Sequence, residues 1–341
     1  MKFGIRLPVG GPLASPSAIR SAAELAESLR YDSIWVHDFI GWTKEMDRSH
    51  VSCGAIDLVT EDKEPVMFET ITNLAFLAGI TSNINIGSAI LCTPYRNPVV
   101  QAKQLACIDV LSGGRLIVGA GVGALKRIGR DFEVVGVPRS DKYERTAEYI
   151  RVMRTIWEQR HPQYAGDYVS LPETEINPKP IQRPLPIWFA GRGERAWAIM
   201  TALANGWIPT WMTPDGYRDS VPRIRSALAE QGRDPDAFTI AKECYAAIAQ
   251  TSEEARIFSR PTFETFTKGF TVSTDEDAMA SALVGSPAEI QSQLEEYQSA
   301  GVEHIEIKFI YLSEAHLAEQ MTLFAESVMH SMDAQRLKPT A

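Results

Sequence analysis

Short runs rich in β-branched and aromatic residues alternate with longer helix-like segments along nearly the whole chain, and this alternation restricts the fold more tightly than any other feature. Eight runs read as strands: FGIRL (3–7), SIWVH (33–37), INIGSAIL (84–91), RLIVGAG (115–121), PIWFAG (186–191), GWIPTW (206–211), FTIAKECYAAIA (238–249) and HIEIKFI (304–310). Parallel strands covered on both faces carry near-continuous apolar runs rather than strict in-out alternation. The segments between the strands carry helix start and stop chemistry. Ser15-Pro16 and Asn97-Pro98 each set a side-chain cap before a proline at the first helical position. SPAEIQSQLEEYQSAG supplies Ser286 as cap, Glu289 three residues later and Gly301 as the stop. Strand–helix units repeated in this way predict an α/β fold, a (β/α)8 TIM barrel. A doubly wound open sheet would want a GxGxxG turn opening the first helix, and GGPLASPS near residue 10 lacks it.

Three long connections interrupt the pattern: 41–65 after strand two, 162–185 before strand five and 259–285 after strand seven. The first and third follow strands, on the face where barrels build active sites, so they are expected as insertion loops walling the site. The second lies at the other end of its strand, and its expected role is structural. No internal repeat is evident, so residues 1–330 are expected to form a single barrel domain, with 331–341 a C-terminal tail.

A chain of 341 residues has the length of one large barrel. Its 45% hydrophobic and 23% charged residues exclude disordered and fibrous classes. The formal net charge of −9 argues against a nucleic-acid partner, which calls for a basic surface. Cys53, Cys92, Cys107 and Cys244 form no CxxC pair, and the histidines show no HExxH spacing, so neither a metal site nor a disulfide framework is expected. The opening MKFGIRLPVGG has no apolar leader and no later run reaches the length of a membrane span, so no membrane contact and a cytoplasmic location are expected.

Three groups at strand ends are candidates for chemistry. His37 and Asp38 close strand two, where side chains can enter the barrel mouth, and they are the catalytic candidates. Successive strand residues face opposite sides, so Asp38 orients His37 only where the backbone bends between them. Gly119, Gly121 and Gly123 leave one side of strand four without side chains, so a flat ring can approach the backbone; the alternative is relief of crowding inside the barrel. Ala190-Gly191-Arg192-Gly193 runs from strand five straight into a helix, and its amides, the positive helix end and Arg192 suit a phosphate. With no GxSxG nucleophile elbow, the set points to a flat, phosphorylated cofactor.

The runs YRNPVVQAKQLACIDVLSGGRLIVGAGVG, KYERTAEYIRVMRTIW, LPIWFAGRGERAWAIMTALANGWIP and GSPAEIQSQLEEYQSAGVEHIEIKF occur in this order and resemble the bacterial luciferase-like monooxygenase superfamily over roughly residues 1–330. The resemblance implies a (β/α)8 barrel using either reduced FMN with oxygen, for monooxygenation, or the deazaflavin F420, for hydride transfer. It places the cofactor phosphate at Ala190–Gly193 and the ring near a bulge at Ala89-Ile90, where relatives often have a non-prolyl cis peptide. Relatives often form dimers, so a homodimer is implied too. One departure concerns the chemistry: many F420-using relatives carry Asp-His at the end of strand two, and here the pair is Asp38-Phe39. Another is Ala124, at a position where some F420 sugar-phosphate dehydrogenases carry Glu. Phe39 and Trp42, joined by Trp211 and by Phe263, Phe266 and Phe270, are expected to wall an apolar substrate.

The leading expectation is a flavin-dependent monooxygenase that takes reduced FMN from a separate reductase and acts on a small hydrophobic organic substrate. An F420-dependent oxidoreductase with His37 near the ring is the alternative, and a non-catalytic flavin-binding protein is a third.

Overall fold

Each of the eight runs yields a barrel strand: β1 (Lys2–Arg6), β2 (Ser33–Val36), β3 (Asn85–Ser88), β4 (Leu116–Gly121), β5 (Ile187–Phe189), β6 (Gly206–Trp207), β7 (Thr239–Ile248) and β8 (His304–Phe309). The computed structural model describes residues 1–41, 66–123, 129–266 and 275–332. All neighbouring strands pair in parallel, β1 with both β2 and β8, and the contact of β4 with β5 (Trp188 opposite Gly119) closes the ring. The helices α1 (Pro16–Ser28), α2 (Thr70–Ile80), α3 (Pro98–Leu111), α4 (Lys142–Glu158), α5 (Glu194–Leu203), α6 (Pro214–Glu230), α7 (Pro287–Ser299) and α8 (Glu314–Phe324) follow the strands in turn. The fold is therefore the predicted (β/α)8 barrel.

The caps form as their residue types require. Ser15 Oγ accepts the Ala18 amide at 3.0 Å, Asn97 Oδ1 accepts those of Val99 and Val100, and Ser286 Oγ accepts that of Glu289. Gly301, just past α7, takes a φ of 92°, which a side chain would resist. Beyond the strand–helix units, Gly10–Gly11 pairs antiparallel with Val66–Met67, and Tyr164–Ala165 with Ser170–Leu171. After β7, helices at Ser252–Phe266 and Asp275–Ala280 precede a short strand, Leu283–Gly285, that pairs with the end of β7. Met332 is buried against the main core, so packing reaches past residue 330.

Strand three departs from its predicted length. β3 stops at Ser88, the Ala89–Ile90 peptide is cis, and Leu91–Cys92 then pairs separately with Ala120 and Gly121 of β4. The close approach of the two strands excludes a side chain at Gly119, where a Cβ would lie 1.9 Å from the Ser88 carbonyl oxygen.

The barrel interior is filled, not hollow. Trp35 of β2 and Trp188 of β5 pack at 5.3 Å between ring centroids, and His304 of β8 meets Trp188 edge-on at 5.0 Å. Gly4 and Gly87, on the strands flanking β2, make room for Trp35: a Cβ at either would lie within 2.4 Å of it. The His304 ring contacts Ser33 Oγ at 3.0 Å, and burial lowers its pKa to about 3, so it is a neutral packing element.

Candidate active site

Above this aromatic plug, the C-terminal strand ends enclose a cavity of about 430 Å³. Small-molecule sites commonly have this size, and the C-terminal face is where barrels place them. Its walls come from two halves of the ring that differ in chemistry.

The half built on β2 to β5 presents mostly backbone and small or apolar groups. His37, Asp38 and Phe39 follow β2, Ala89, Ile90 and Cys92 follow β3, and Gly121 to Gly123 end β4. His37 and Asp38 both reach this wall because β2 stops pairing at Val36, so strand alternation no longer applies to them. His37 packs edge-on against Phe39 at 5.1 Å and lies over Gly10, where a Cβ would come within 2.8 Å of its Nε2.

Asp38 is committed to protein partners. Arg96 grips it bidentately, with Nη1–Oδ2 and Nη2–Oδ1 both 2.7 Å, while Thr70 Oγ1 and the Cys92 amide donate at 2.9 Å. The carboxylate thus ties the end of β2 to the segment after the cis peptide, which positions the wall. The Cys92 thiol is pushed well up by burial and by the Asp38 charge, which removes it as a nucleophile.

The α5 turn completes this half. Ala190, Gly191 and Arg192 line the cavity, with Gly191 and Gly193 at φ 138° and 88°. Gly193 is the N-cap and offers no capping side chain, so the first-turn amides of α5 are not taken by one. Arg192 donates to the Trp211 carbonyl at 3.2 Å.

The other half, from β6 to β8 and β1, is polar and charged. Arg6, Thr210, Glu243, Tyr245 and Lys308 line the cavity together with Pro209 and Trp211. Arg6 Nε meets Glu306 Oε1 at 2.6 Å, and its Nη2 meets Glu243 Oε1 at 3.1 Å. Burial alone would lower the Arg6 pKa, but Glu306 and Glu243 outweigh it and hold the guanidinium charged. Burial pushes Glu306 up to about 7 against the pull of Arg6. Thr210 Oγ1 donates to Glu243 at 2.9 Å, Lys308 Nζ donates to the Tyr245 hydroxyl at 2.6 Å, and Trp211 stacks on Tyr245 at 4.9 Å.

The structure therefore gathers His37, Asp38, Phe39, Ala89, Ile90, Gly121, Gly123, Ala190, Gly191, Arg192 and Trp211 around one cavity. Gly119 lies below it against β3, and Gly193 sits behind the turn, outside the lining. Phe263, in the helix Ser252–Phe266, does not line the cavity but is buried behind its wall, in one cluster with Tyr245 and with Trp211 packed against it. Trp42, Ala124 and Phe270 lie outside the described residues, as does the side chain of Phe266. Sequence reasoning missed the charged half, although a signal exists: Arg6, Glu243, Glu306 and Lys308 are charges inside strands that otherwise read as buried. Among the described residues no metal-binding cluster occurs and no helix is long and apolar enough to cross a membrane.

Comparison with known proteins gives the site a context. Residues 1–304 match the family model described as luciferase-like monooxygenase. An FMNH2-dependent dimethylsulfone monooxygenase of Pseudomonas putida is 32% identical over 192 residues, covering 55% of this chain. The chain spans about half of that relative's length, 51%. The corresponding enzyme of Pseudomonas fluorescens is 27% identical over 74% of both chains. Among solved structures, a monooxygenase from Streptomyces bottropensis superposes with a TM-score of 0.79 at 21% identity, covering 97% of this chain and all of that one. An F420-dependent secondary alcohol dehydrogenase superposes with a TM-score of 0.77 at 18% identity, covering 96% and 98%.

Proposed function

From the premise that the chain belongs to the luciferase-like monooxygenase family, we propose that it is a monooxygenase using reduced FMN and oxygen on a small organic substrate. The observation that carries this reading is the union, in one cavity, of a wall of glycine, alanine and mostly apolar side chains with the first turn of α5 and Arg192. The fit to FMN rests on the same geometry. A Cβ at Gly121 would approach Ile90 to 2.8 Å, so that wall stays flat only with glycine. The first-turn amides of α5 and Arg192 would hold the phosphate, while Ala89, Ile90 and Gly121 to Gly123 would lie along the ring.

Bound reduced FMN supplies the oxygen chemistry. The protein's own part is placement and the exclusion of water. Asp38, fixed by Arg96, Thr70 and the Cys92 amide, holds the Ala89–Cys92 wall in position, and Phe39 and Ile90 keep the mouth apolar. His37 is the imidazole on the β2–β5 wall and the group there that would carry a proton. A separate flavin reductase would deliver the reduced cofactor, and a homodimer is the assembly expected from the family.

His37 on the cavity wall also favours a second reading, an F420-dependent hydride transfer in which the imidazole exchanges a proton with the substrate. Titration with FMN, reduced FMN and F420 separates the two. Saturable reduced-FMN binding with substrate-dependent oxygen uptake is expected, and tight F420 binding with none for reduced FMN would falsify the monooxygenase reading.

A further inference from the structure

The charged half of the cavity is unexplained by cofactor placement, since the cofactor-like features all belong to the β2–β5 half. We propose that Arg6 sets substrate specificity: its Nη1 donates to an uncharged acceptor oxygen, the carbonyl of a ketone, ester or amide, at one end of a substrate whose remainder is apolar. The inference rests on the functional reading above for which half the cofactor takes.

Three observations carry it. The first is how the guanidinium is engaged. Glu243 and Glu306 are register partners on β7 and β8, so the pleat turns both carboxylates to the same side of the barrel and sets two like charges side by side. Arg6, the last residue of β1, answers both with one edge. Its Nε donates to Glu306 Oε1 at 2.6 Å, and its Nη2 donates to Glu306 Oε2 at 3.1 Å and meets Glu243 Oε1 at 3.1 Å. Nη1 has no hydrogen-bond partner among the described residues, although its N–H groups are donors like the rest. Arg6 is 5% exposed and lines the cavity, and Nη1 is not among the buried polar atoms sealed from solvent, so it opens on the cavity.

The second observation is charge. Glu243 lines the same wall beside the guanidinium, so an anion brought to Nη1 meets a carboxylate there. Where Glu306 is ionised, the two acids balance Arg6 and Lys308, and the half offers an anion no net attraction. An uncharged oxygen escapes that repulsion and still receives a hydrogen bond from a charged donor, which is stronger than one between neutral groups.

The third is rigidity. Glu306 is fully buried, and Glu243 is held by Thr210 Oγ1 at 2.9 Å, so the acids that orient the guanidinium plane are themselves fixed. A planar donor held in this way points in one direction, which suits a single oxygen at a set position. Across the cavity, Ile90, Val122 and Phe39 supply the apolar surface for the rest of the molecule.

The test compares hexan-2-one with 2-methylhex-1-ene, which replaces the carbonyl oxygen by a methylene group of similar shape, and with hexanoate. Binding is measured by calorimetry at a pH above the Glu306 titration at about 7, with and without added FMN. The ketone is expected to bind about 10- to 100-fold tighter than the alkene, the worth of one hydrogen bond to a charged group, and tighter than hexanoate. Arg6→Lys keeps a cation for the two acids but has no Nη1, so it should remove the advantage of the ketone while alkene and FMN affinities stay unchanged. Arg6→Met combined with Glu243→Gln and Glu306→Gln orphans no charge and gives the same readout if Arg6→Lys does not fold. Ketone binding that is undetectable, equal to that of the alkene or weaker than that of hexanoate in the native protein overturns the inference. So does a folded variant that keeps the preference, or one that loses FMN affinity, since Arg6 would then serve the cofactor. A native protein that shows the Arg6-dependent preference yet binds FMN in neither redox state overturns the functional reading instead.

Discussion

The two halves of the cavity are built from the same repeating unit and yet have opposite chemistry. From β2 to β5 the strand ends and the α5 turn offer glycines, alanines, a cis peptide, the apolar Phe39, Ile90 and Val122, His37, Arg192 and one carboxylate, Asp38, engaged by its neighbours. From β6 round to β1 they offer two cations, one acid, a phenol and a hydroxyl, with Glu306 buried behind Arg6. On the proposed function, the contrast separates cofactor and substrate recognition by angular position around a single mouth. A flat, phosphorylated ring needs close backbone approach and a helix end, whereas a polar substrate group needs side chains that reach into the mouth.

Each half contains a buried ion pair, and breaking these gives the largest expected effects. Arg6→Leu leaves Glu306 and Glu243 without their cation, and Asp38→Ala leaves Arg96 without its bidentate acceptor. Arg6→Leu is expected to lose about 3–5 kcal/mol in urea unfolding, the usual cost of a buried pair that loses one partner, and Asp38→Ala less, because Arg96 keeps its pair with Glu69 at 2.7 Å. They should differ in function: the folded fraction of Asp38→Ala is expected to bind FMN more weakly because the wall after β3 is released, while that of Arg6→Leu should keep its FMN affinity. Equal loss of FMN affinity in both would break the division into halves.

Gly119→Ala comes next. Its Cβ would press on the Ser88 carbonyl oxygen, so backbone must move, and a destabilisation of about 1–3 kcal/mol is expected by thermal unfolding. The displacement would also disturb the Ala89–Ile90 wall, so FMN affinity should fall with stability. Arg192→Met should leave stability nearly unchanged, since the side chain is exposed, and weaken FMN binding about tenfold in a fluorescence titration.

The charged half also predicts a pH slope in stability. Glu306 keeps its proton up to about pH 7 in the folded protein, against a reference value of 4.5. Between those values the native state binds the extra proton, so this group makes stability fall as pH rises from 4.5 towards 7. Glu306→Gln should flatten that slope in unfolding midpoints measured across the window. An unchanged slope would assign the titration to another group.

Much of the first half was legible in the sequence and almost none of the second. The runs GAGVG and AGRG stand out because glycine at strand ends has few purposes other than close approach or an unusual φ. His37 and Asp38 stand out because they end an apolar run abruptly. The structure changed their meaning: Asp38 is a clamp, and His37 reaches the cavity because pairing stops one residue before it. By contrast, HIEIKFI reads as a strand whatever Glu306 and Lys308 face, and Arg6 in FGIRL looks like an ordinary edge charge. Their shared destination depends on closure of the ring, which brings β1 beside β8 across most of the chain's length.

Local periodicity, caps and glycine placement were enough to determine strand–helix alternation and hence the barrel, because those signals act over a few residues and point the same way. The glycines of GAGVG also marked, from sequence alone, where backbone comes close to a neighbour: Gly119 against Ser88 and Gly121 and Gly123 at the cavity wall. Only the tertiary structure decided that strand three breaks at Ser88 and that Asp38 belongs to Arg96. It alone placed Lys308 beside Tyr245, with Arg6 against both acids. Such pairings join residues tens to hundreds of positions apart, and their geometry is set by inter-strand register and barrel closure, to which no local pattern is sensitive.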